Sequence, residues 1–229
     1  MKILFENRQE AGLLLAQKLK KYAERSDVIV LALPRGGVPV GFQIAVELKV
    51  PLDVVVVRKI GMPGNPEYAI GAISIDQSLL QAEVIEAYGI DPKEIDAVIA
   101  RERKEMARRE SLYRAGRLPL QLQGKVVIVV DDGLATGSTM RVALRSVRKM
   151  NPARVVVAVP VAAAETRHEL AGEADEITCL DTPTPFYGVG QWYANFEQTE
   201  DDEVIRLLHE AERMHPLDAW TKACSVRGG

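Results

Sequence analysis

One stretch decides the fold: Val126-Val127-Ile128-Val129-Val130-Asp131-Asp132-Gly133-Leu134-Ala135-Thr136-Gly137-Ser138-Thr139. Its first five residues are apolar and β-branched, which predicts a buried strand. A helix is expected over Met140 to Met150, so the loop between them leads from a strand end into a helix N-terminus. Backbone N–H groups and hydroxyls in such a loop bind an anion, and the helix dipole favours negative charge there. The two adjacent acids cannot bind that anion and suit hydroxyl groups, a metal ion or a developing positive charge.

Further short apolar runs alternate with helical patterns along the chain. They predict strands over Val28–Leu33, Val54–Val57, Val155–Val159 and Glu176–Leu180. Short apolar strands that alternate with helices predict an α/β fold with a parallel sheet of about five strands, and such sheets bind ligands at the carboxyl ends of their strands. The acidic loop, the segment Pro34-Arg35-Gly36-Gly37 and the pair Arg58-Lys59 each follow a predicted strand. We therefore expect these three polar clusters to meet at one edge of the sheet.

The alternation is interrupted between residues 60 and 123. Residues Glu67 to Leu80 favour a hairpin. The run Asp91-Pro92-Lys93-Glu94 combines an N-cap acid, Pro at N1 and Glu at N3, which predicts a helix start. That helix is expected to run to about Ala115, with Gly116 as its C-cap. The interruption predicts a flap and a covering helix rather than a separate domain.

Composition narrows the class of protein. The chain has 229 residues, 47% of them hydrophobic and 27% charged, with a formal net charge of -3. These values are typical of a globular protein and weigh against a broad nucleic-acid-binding surface. The sequence lacks a signal-peptide core and an apolar run of about 20 residues, so a cytoplasmic location without membrane insertion is expected. Cys179 and Cys224 form no C-x-x-C pair, so neither a disulfide framework nor a zinc site is suggested.

The acid pair with its Thr-Gly-Ser-Thr loop resembles the phosphoribosyl-diphosphate-binding signature of the type I phosphoribosyltransferase (PRTase) family. That signature has four hydrophobic residues, two acids and a small-residue loop ending in Thr-Gly-x-Thr, and residues 127–139 match it throughout. The resemblance implies a type I PRTase-like fold in one domain over the whole chain. The core would comprise about 1–59 and 124–180, the flexible flap and covering helix about 60–123, and the small hood and tail about 181–229.

Two further segments resemble parts of that family. Leu33-Pro34-Arg35-Gly36-Gly37 stands where the family has its pyrophosphate-binding loop, in which the peptide bond before the basic residue is often cis. The run from Val57 to Gly64 resembles the adenine phosphoribosyltransferase segment in which Arg-Lys precedes a mobile Gly/Pro-rich loop. The likeness to adenine phosphoribosyltransferases ends after Gly64, so the base does not carry over. The plainer alternatives are a simple turn for the first segment and a basic pair on a strand end for the second.

The resemblance implies a reaction and a role for each part of the site. A nitrogen base, most plausibly purine-like, displaces diphosphate from 5-phospho-α-D-ribose 1-diphosphate (PRPP). The 5-phosphate would bind Gly133, Leu134, Ala135, Thr136, Gly137, Ser138 and Thr139. The diphosphate would bind Arg35, Gly36, Gly37, Arg58 and Lys59. The catalytic residues Asp131 and Asp132 would accept hydrogen bonds from the ribose hydroxyls and stabilise the cationic ring. Mg²⁺ would be held through the substrate, with the same two acids as candidate protein ligands.

Two weaker assignments concern the elements that cover the site. An aromatic cluster after the last predicted strand predicts the hood: Phe186, Tyr187, Trp192, Tyr193 and Phe196. Trp192 could stack on the base, although a hood core or a subunit contact explains the cluster equally well. Glu67 and Tyr68 lie in the predicted flap and could take part in proton transfer, although a surface acid is the plainer explanation of Glu67.

Three functions compete for this site. The first is a transferase of nucleotide salvage whose partners are PRPP and a nitrogen base, without nucleic acid or membrane, acting as a homodimer as is common in the family. The alternative is a non-catalytic regulator that binds PRPP. A diphosphokinase that makes PRPP would need two comparable α/β halves, and the chain provides one. The basic residues Arg35, Arg58 and Lys59 favour catalysis, because a departing diphosphate must be stabilised.

Overall fold

The computed structural model describes residues 3–74 and 78–217, without the side chains of Pro66, Glu67 and Leu79. Cys224 and the side chain of Glu67 therefore lie outside the described part of the chain. The strands are β1 (Val28–Ala32), β2 (Leu52–Val54), β3 (Arg58–Met62), β4 (Asn65–Ile73), β5 (Ser78–Leu80), β6 (Val126–Val130), β7 (Arg154–Val161) and β8 (Glu176–Asp181). The helices are α1 (Arg8–Lys18), α2 (Gly37–Leu48), α3 (Ala82–Ala87), α4 (Pro92–Tyr113), α5 (Ser138–Arg148), α6 (Ala164–Leu170) and α7 (Asp201–Met214).

A five-stranded parallel sheet in the order β2-β1-β6-β7-β8 forms the centre of the structure. Its strands are buried on both faces, so they read as continuous apolar runs. Alternate residues separate the two faces: Val28 and Val30 pack in one cluster with α1, α2 and α7, whereas Ile29 and Leu31 pack in another with α5. The predicted α/β fold, a parallel sheet of five strands flanked by helices, is confirmed.

A separate antiparallel sheet, in the order β3-β4-β5, accounts for the interrupted part of the sequence. The hairpin predicted over Glu67 to Leu80 is present as β4 and β5, and β3 adds a strand that the sequence did not predict. The segment predicted to be a mobile loop, residues 61–67, forms the end of β3, a turn at Pro63 and Gly64, and the start of β4. Its mobility stays a prediction.

The second strand and the end of the long helix lie elsewhere than predicted. The second strand was expected over Val54–Val57 but lies at Leu52–Val54, because β1 ends at Ala32 and its partner residue is Val54. The three valines that follow are buried without belonging to the strand, so apolar character marked burial rather than strand pairing. The long helix α4 begins as predicted, with the Asp91 carboxylate accepting from Lys93 N at 2.8 Å. It ends at Tyr113 with Arg114 as its C-cap, not at Gly116.

No helix in the described part of the chain is long and apolar enough to cross a membrane.

A buried ion-pair cluster joins the edge strand β2 to the segment after α4. Asp53 has an exposed fraction of 0%. Its Oδ2 lies 3.1 Å from Arg114 Nε and its Oδ1 lies 3.3 Å from Arg117 Nη1. Arg117 also donates to the backbone oxygen of Leu52 at 3.1 Å. The cluster therefore covers part of the outer edge of the sheet and gives the Leu52 carbonyl a donor.

Replacing this carboxylate by an amide is expected to destabilise the protein strongly. Asp53→Asn removes the fully buried carboxylate that two largely buried guanidinium groups share and leaves them only their more exposed partners Glu110 and Glu212, a change that costs roughly 3–5 kcal/mol of unfolding free energy. Urea denaturation followed by circular dichroism measures the loss. Asp27→Asn is the matched control, because its pair with Arg25 (2.7 Å) is exposed on both sides and is expected to contribute less than about 1 kcal/mol. Equal losses in the two variants would contradict a structural role for the Asp53 cluster.

Candidate active site

The loop of residues 131–137 joins the end of β6 to the N-terminus of α5 and is fixed to the neighbouring strand. Leu134 N donates to Val161 O at 2.9 Å, and Ala163 N donates to Leu134 O at 2.9 Å. Thr166 Oγ1 donates to Ala135 O at 2.5 Å. The loop is therefore held from β7 and from the start of α6, which favours a preformed binding site.

Gly137 and the hydroxyl groups form the mouth of this loop. Gly137 has φ +68°, and a Cβ there would lie 2.6 Å from Thr166 Cγ2, so both conformation and space require glycine. The helix begins at Ser138, two residues before the predicted start at Met140. Thr136 Oγ1 and Ser138 Oγ are 3.2 Å apart. Two hydroxyls thus flank a helix N-terminus, the arrangement that binds a phosphate group.

The acid pair lies at the carboxyl end of β6, and both residues are only partly exposed. Asp131 Oδ1 accepts from Asp132 N at 2.9 Å. Burial, and then the like charge of Asp132, raises the pKa of Asp131 well above its usual value. Burial also raises the pKa of Asp132, while Arg8 opposes that shift. The pair therefore favours ligands that lower the cost of holding two negative charges side by side.

Arg8, on the first turn of α1, provides the counter-ion of Asp132. Its Nε lies 2.8 Å from Asp132 Oδ2, and both side chains are mostly buried, with exposed fractions of 12% and 15%. Its Nη1 donates to Glu197 O at 2.7 Å, and its guanidinium carbon lies 3.9 Å from the centre of the Phe196 ring. The arginine thus connects the acid to the segment that precedes α7.

The loop after β1 lies directly against the acid pair, as predicted. The Pro34–Arg35 peptide bond is cis, as the family resemblance implied. A Cβ on Gly36 would lie 2.0 Å from Asp132 Oδ2, and one on Gly37 would lie 2.7 Å from the backbone oxygen of Val130. Only glycine allows the loop to approach the acids so closely, which gives the two glycines a structural reason.

The basic side chains assigned to the diphosphate are held largely by acids of the protein. Arg35 Nη1 lies 3.1 Å from Glu200 Oε2. Arg58 Nε and Nη2 lie 2.9 and 2.7 Å from Oε2 of Glu102 on α4. Lys59 is exposed on β3. The structure places Arg35 beside the acidic loop through its neighbour Gly36, whereas the pair at 58 and 59 belongs to the separate sheet, where Arg58 is tied to α4. The diphosphate-binding role of these residues stays a prediction.

The predicted hood contains a second element that the sequence did not indicate. The N-terminal segment pairs with it: Leu4 N and Phe5 N donate to Trp192 O at 2.9 and 3.1 Å, and Ala194 N donates to Phe5 O at 2.8 Å. Tyr193 packs against Phe5 with ring centres 5.4 Å apart. The hood is therefore built from both ends of the described chain.

Trp192 is poorly placed for the stacking role assigned to it. Its side chain is buried (6% exposed) beside Phe186, with ring centres 6.0 Å apart. Tyr187, in contrast, is 80% exposed. A base could stack on Trp192 only if the hood opened, so the hood-core explanation of the cluster agrees better with the packing. Stacking on Trp192 stays a prediction that its burial disfavours.

The flap residues lie on β4, away from the turn of the hairpin. Tyr68 is 42% exposed, and its ring centre lies 5.9 Å from that of Tyr88. Glu67 belongs to the same strand, and its side chain lies outside the described residues. Their suggested part in proton transfer stays a prediction.

The acids fit a magnesium ion that is held mainly by substrate. In the described residues no group of three or more His, Cys, Asp or Glu side chains could hold a metal. Asp132 Oδ2 is engaged by Arg8, so the pair offers few free carboxylate oxygens. Mg²⁺ commonly takes one or two carboxylates and completes its shell with water and phosphate oxygens. The carboxylate oxygens of Asp131 and Asp132 therefore agree with a Mg²⁺ ion whose other ligands are water and substrate, and not with a site formed by protein ligands alone.

Two residues at the site were missed by the sequence analysis. Arg8 carries no motif, and its approach to Asp132 depends on a contact between residues 124 positions apart. The Tyr193 hydroxyl donates to Asp132 O at 2.6 Å. Its membership of the aromatic cluster was recognised, but the hydrogen bond to the acid could not be read from the pattern. Burial, in the main, raises the pKa of Tyr193, so the hydroxyl stays protonated and able to donate.

Comparisons with known proteins agree with this geometry. A protein of Mycobacterium tuberculosis named "Putative phosphoribosyl transferase" is 44% identical over 211 residues, which cover 92% of this chain and 47% of that relative. The chain thus spans about half the length of the curated relatives it matches. The uracil phosphoribosyltransferase of Aquifex aeolicus is 45% identical over 56 residues, 24% of this chain and 26% of that protein.

A solved structure and a family model extend the comparison. The protein TT1426 from Thermus thermophilus is similar with a TM-score of 0.76 and 39% identity, over 91% of this chain and 99% of that chain. This match confirms the predicted fold at the level of the whole sheet. The family model of the phosphoribosyl transferase domain matches residues 4–195. The family resemblance stated for residues 127–139 is therefore confirmed: the chain belongs to the phosphoribosyl transferase domain family.

Proposed function

We propose that the protein transfers the 5-phosphoribosyl group from PRPP to a purine-like nitrogen base and releases diphosphate. One observation carries this proposal: two partly buried acids stand between a helix N-terminus and a glycine loop that approaches them within contact distance. PRPP has three parts: the 5-phosphate, the ribose and the diphosphate. They match, in that order, the anion site at the helix N-terminus, the pair of carboxylates and the second backbone loop. Membership of the phosphoribosyl transferase domain family supports the transfer of a phosphoribosyl group, whereas the choice of base is part of the proposal.

The charge on each part of PRPP determines which residues of the site bind it. The loop of residues 133–139 binds the 5-phosphate through its backbone N–H groups and the hydroxyls of Thr136, Ser138 and Thr139. Asp131 and Asp132 accept hydrogen bonds from the ribose hydroxyls. As diphosphate departs, the ribose ring becomes cationic, and two carboxylates that are costly to bury are stabilised by that charge. Their raised pKa values thus agree with a site prepared for the transition state.

The diphosphate requires an exchange of ion partners. Arg35 and Arg58 contact Glu200 and Glu102 in the structure, so the proposed ligand replaces these carboxylates. Asp131 or Asp132 would hold Mg²⁺ together with the substrate, and the ion would supply additional charge stabilisation of the diphosphate. Closure of the turn at Pro63 and Gly64 over the site would exclude water, which competes with the base as the nucleophile.

The remaining parts of the proposal concern the whole protein. We assign the core to about 1–59 and 124–180, the flap and covering helix to about 60–123, and the hood and tail to about 181–229. A cytoplasmic homodimer in nucleotide salvage, without nucleic acid or membrane partners, remains our interpretation of composition and family. Because the chain spans 47% of its M. tuberculosis relative, activity, substrates and partners of the whole protein belong to the proposal.

The alternative is a regulator that binds PRPP without turnover. The ion pairs of Arg35 and Arg58 with Glu200 and Glu102 favour it in one respect, because those arginines are already neutralised. A binding protein needs only the phosphate loop and the acids, whereas a transferase must also stabilise the departing diphosphate. A measurement of diphosphate release therefore distinguishes the transferase from the regulator.

The first prediction is diphosphate release from PRPP with Mg²⁺ and a panel of purine and pyrimidine bases. At least one base is expected to give stoichiometric diphosphate and a nucleoside monophosphate, measured by a coupled pyrophosphatase assay and by mass spectrometry. Omitting the base is the control and should leave only slow hydrolysis. Tight PRPP binding without release for any base would reject the transferase and support the regulator.

The second prediction concerns the acid pair. Asp131→Asn and Asp132→Asn should each lower kcat on the order of 100-fold, because each removes negative charge facing the cationic ring. Binding of inorganic phosphate, which probes the 5-phosphate loop alone, should be unchanged in both variants by calorimetry. Wild-type turnover in both variants would refute the charge-stabilising role.

The third prediction concerns the glycine loop. Gly36→Ala places a methyl group 2.0 Å from the present position of Asp132 Oδ2, so the acid must move, and kcat/KM for PRPP should fall by at least about tenfold. Steady-state kinetics measures the change. Gly172→Ala is the control, because a Cβ there meets nothing within 4 Å. Similar activity of both variants would show that the approach of the loop to Asp132 is unimportant for turnover.

A further inference from the structure

We propose that Arg8 is a positioning residue for Asp132: it fixes one carboxylate oxygen so that the other is presented to the ribose of PRPP. This inference rests on the proposed function, because it gives the acid a defined orientation toward that substrate. Three features of the structure carry it: the enclosure of the acid, the placement of the arginine and the side from which the arginine approaches.

One carboxylate oxygen of the acid is held by the guanidinium and by the loop after β1. Asp132 Oδ2 lies 2.8 Å from Arg8 Nε and in the space that a Cβ of Gly36 would fill. That oxygen is therefore enclosed by a guanidinium and by backbone, whereas Oδ1 is the atom that we assign to the ribose hydroxyl. The backbone oxygen of the same residue accepts from the Tyr193 hydroxyl at 2.6 Å. Main chain and side chain of the acid are thus both anchored.

The arginine is itself rigidly placed. It is the first residue of α1, whose N-cap Asn7 accepts from Glu10 N at 3.0 Å. Its guanidinium lies 3.9 Å above the Phe196 ring and donates to Glu197 O at 2.7 Å. A planar guanidinium can make these contacts and the ion pair at once, which an ammonium cannot. Arg8 therefore transmits the position of α1 and of the hood to the acid.

Two roles of Arg8 predict opposite effects. If Arg8 positions the acid, its removal frees the carboxylate to rotate, and PRPP loses a prepared acceptor. If Arg8 instead blocks the acid, PRPP must displace it, and its removal strengthens binding. The enclosure by Gly36 favours positioning, because the oxygen that contacts Arg8 faces the protein backbone.

The test compares Arg8→Gln, Arg8→Lys and Phe196→Leu with the wild-type protein. Calorimetry measures the affinities for PRPP in magnesium buffer and for inorganic phosphate, and steady-state assays give kcat and KM. Removing a group that orients a ligand-binding side chain costs roughly 10–100-fold in affinity or activity. We expect Arg8→Gln to weaken PRPP binding by about tenfold, the lower end of that range, and to leave phosphate binding unchanged. Arg8→Lys should recover part of the loss, and Phe196→Leu should show a smaller loss of the same kind.

Arg25→Gln is the matched control. Arg25 also pairs with an aspartate, at 2.7 Å from Asp27, and its guanidinium lies 5.7 Å from the Tyr22 ring. It precedes β1 and so lies at the amino ends of the parallel strands, whereas the acids lie at the carboxyl ends. The substitution makes the same change of charge, so it should leave the affinities for PRPP and phosphate at wild-type values.

Each other result has a defined meaning. Equal PRPP binding by wild type and Arg8→Gln overturns the positioning role alone, and tighter binding by Arg8→Gln overturns it in favour of a block. A parallel loss of phosphate and PRPP binding overturns it in favour of support for the fold, which urea denaturation would show independently. A wild-type protein that binds no PRPP overturns the proposed function and the Arg8 assignment together.

Discussion

The parallel pairing of β1 with β6 is the constraint on which the site depends. Ala32 is the partner of Val130, and Leu33 N donates to Val130 O at 2.8 Å. Because the two strands end together, the loops that follow them must leave the sheet side by side. Glycine at residues 36 and 37 then lets one loop touch the acids of the other. The meeting of these two loops is a consequence of the strand register.

Burying two adjacent carboxylates at that junction costs free energy. The surrounding structure stabilises Asp132 more than it stabilises Asp131. Asp132 gains an ion pair with Arg8 and lies beside the Tyr193 hydroxyl, whereas Asp131 gains a single backbone donor within the pair. The pKa of Asp131 is accordingly the one raised well above its usual value. The two acids are therefore not equivalent: one is anchored through its side chain to the hood, and the other is the more sensitive to positive charge in the ligand.

Local patterns predicted the sheet and the signature loop, and they failed where distant contacts decide. The apolar runs and the loop at residues 127–139 are local patterns whose structure depends mainly on neighbouring residues. The strands, the helices and the acid pair could therefore be located from the sequence. The start of β2 was predicted two residues too late, because an apolar run indicates burial and does not show which residues pair with the neighbouring strand. Arg8 could not be found at all, since an arginine on a helix surface is ordinary until α1 is placed beside Asp132. The pairing of residues 4–6 with the hood was invisible for the same reason.

The arginine beside the acids and the two arginines assigned to the diphosphate are already paired with acids of the protein. Arg35 is paired with Glu200 at the start of α7, Arg58 with α4 and Arg8 with Asp132. Under the proposed function, the diphosphate of PRPP would exchange partners with Arg35 and Arg58 and would gain little from charge alone, because each new ion pair would replace an existing one. Under the same proposal, discrimination between ligands would come from geometry, that is, from the spacing between the loop of residues 133–139 and the acids. That spacing is set by the same strand register that brings the two loops together.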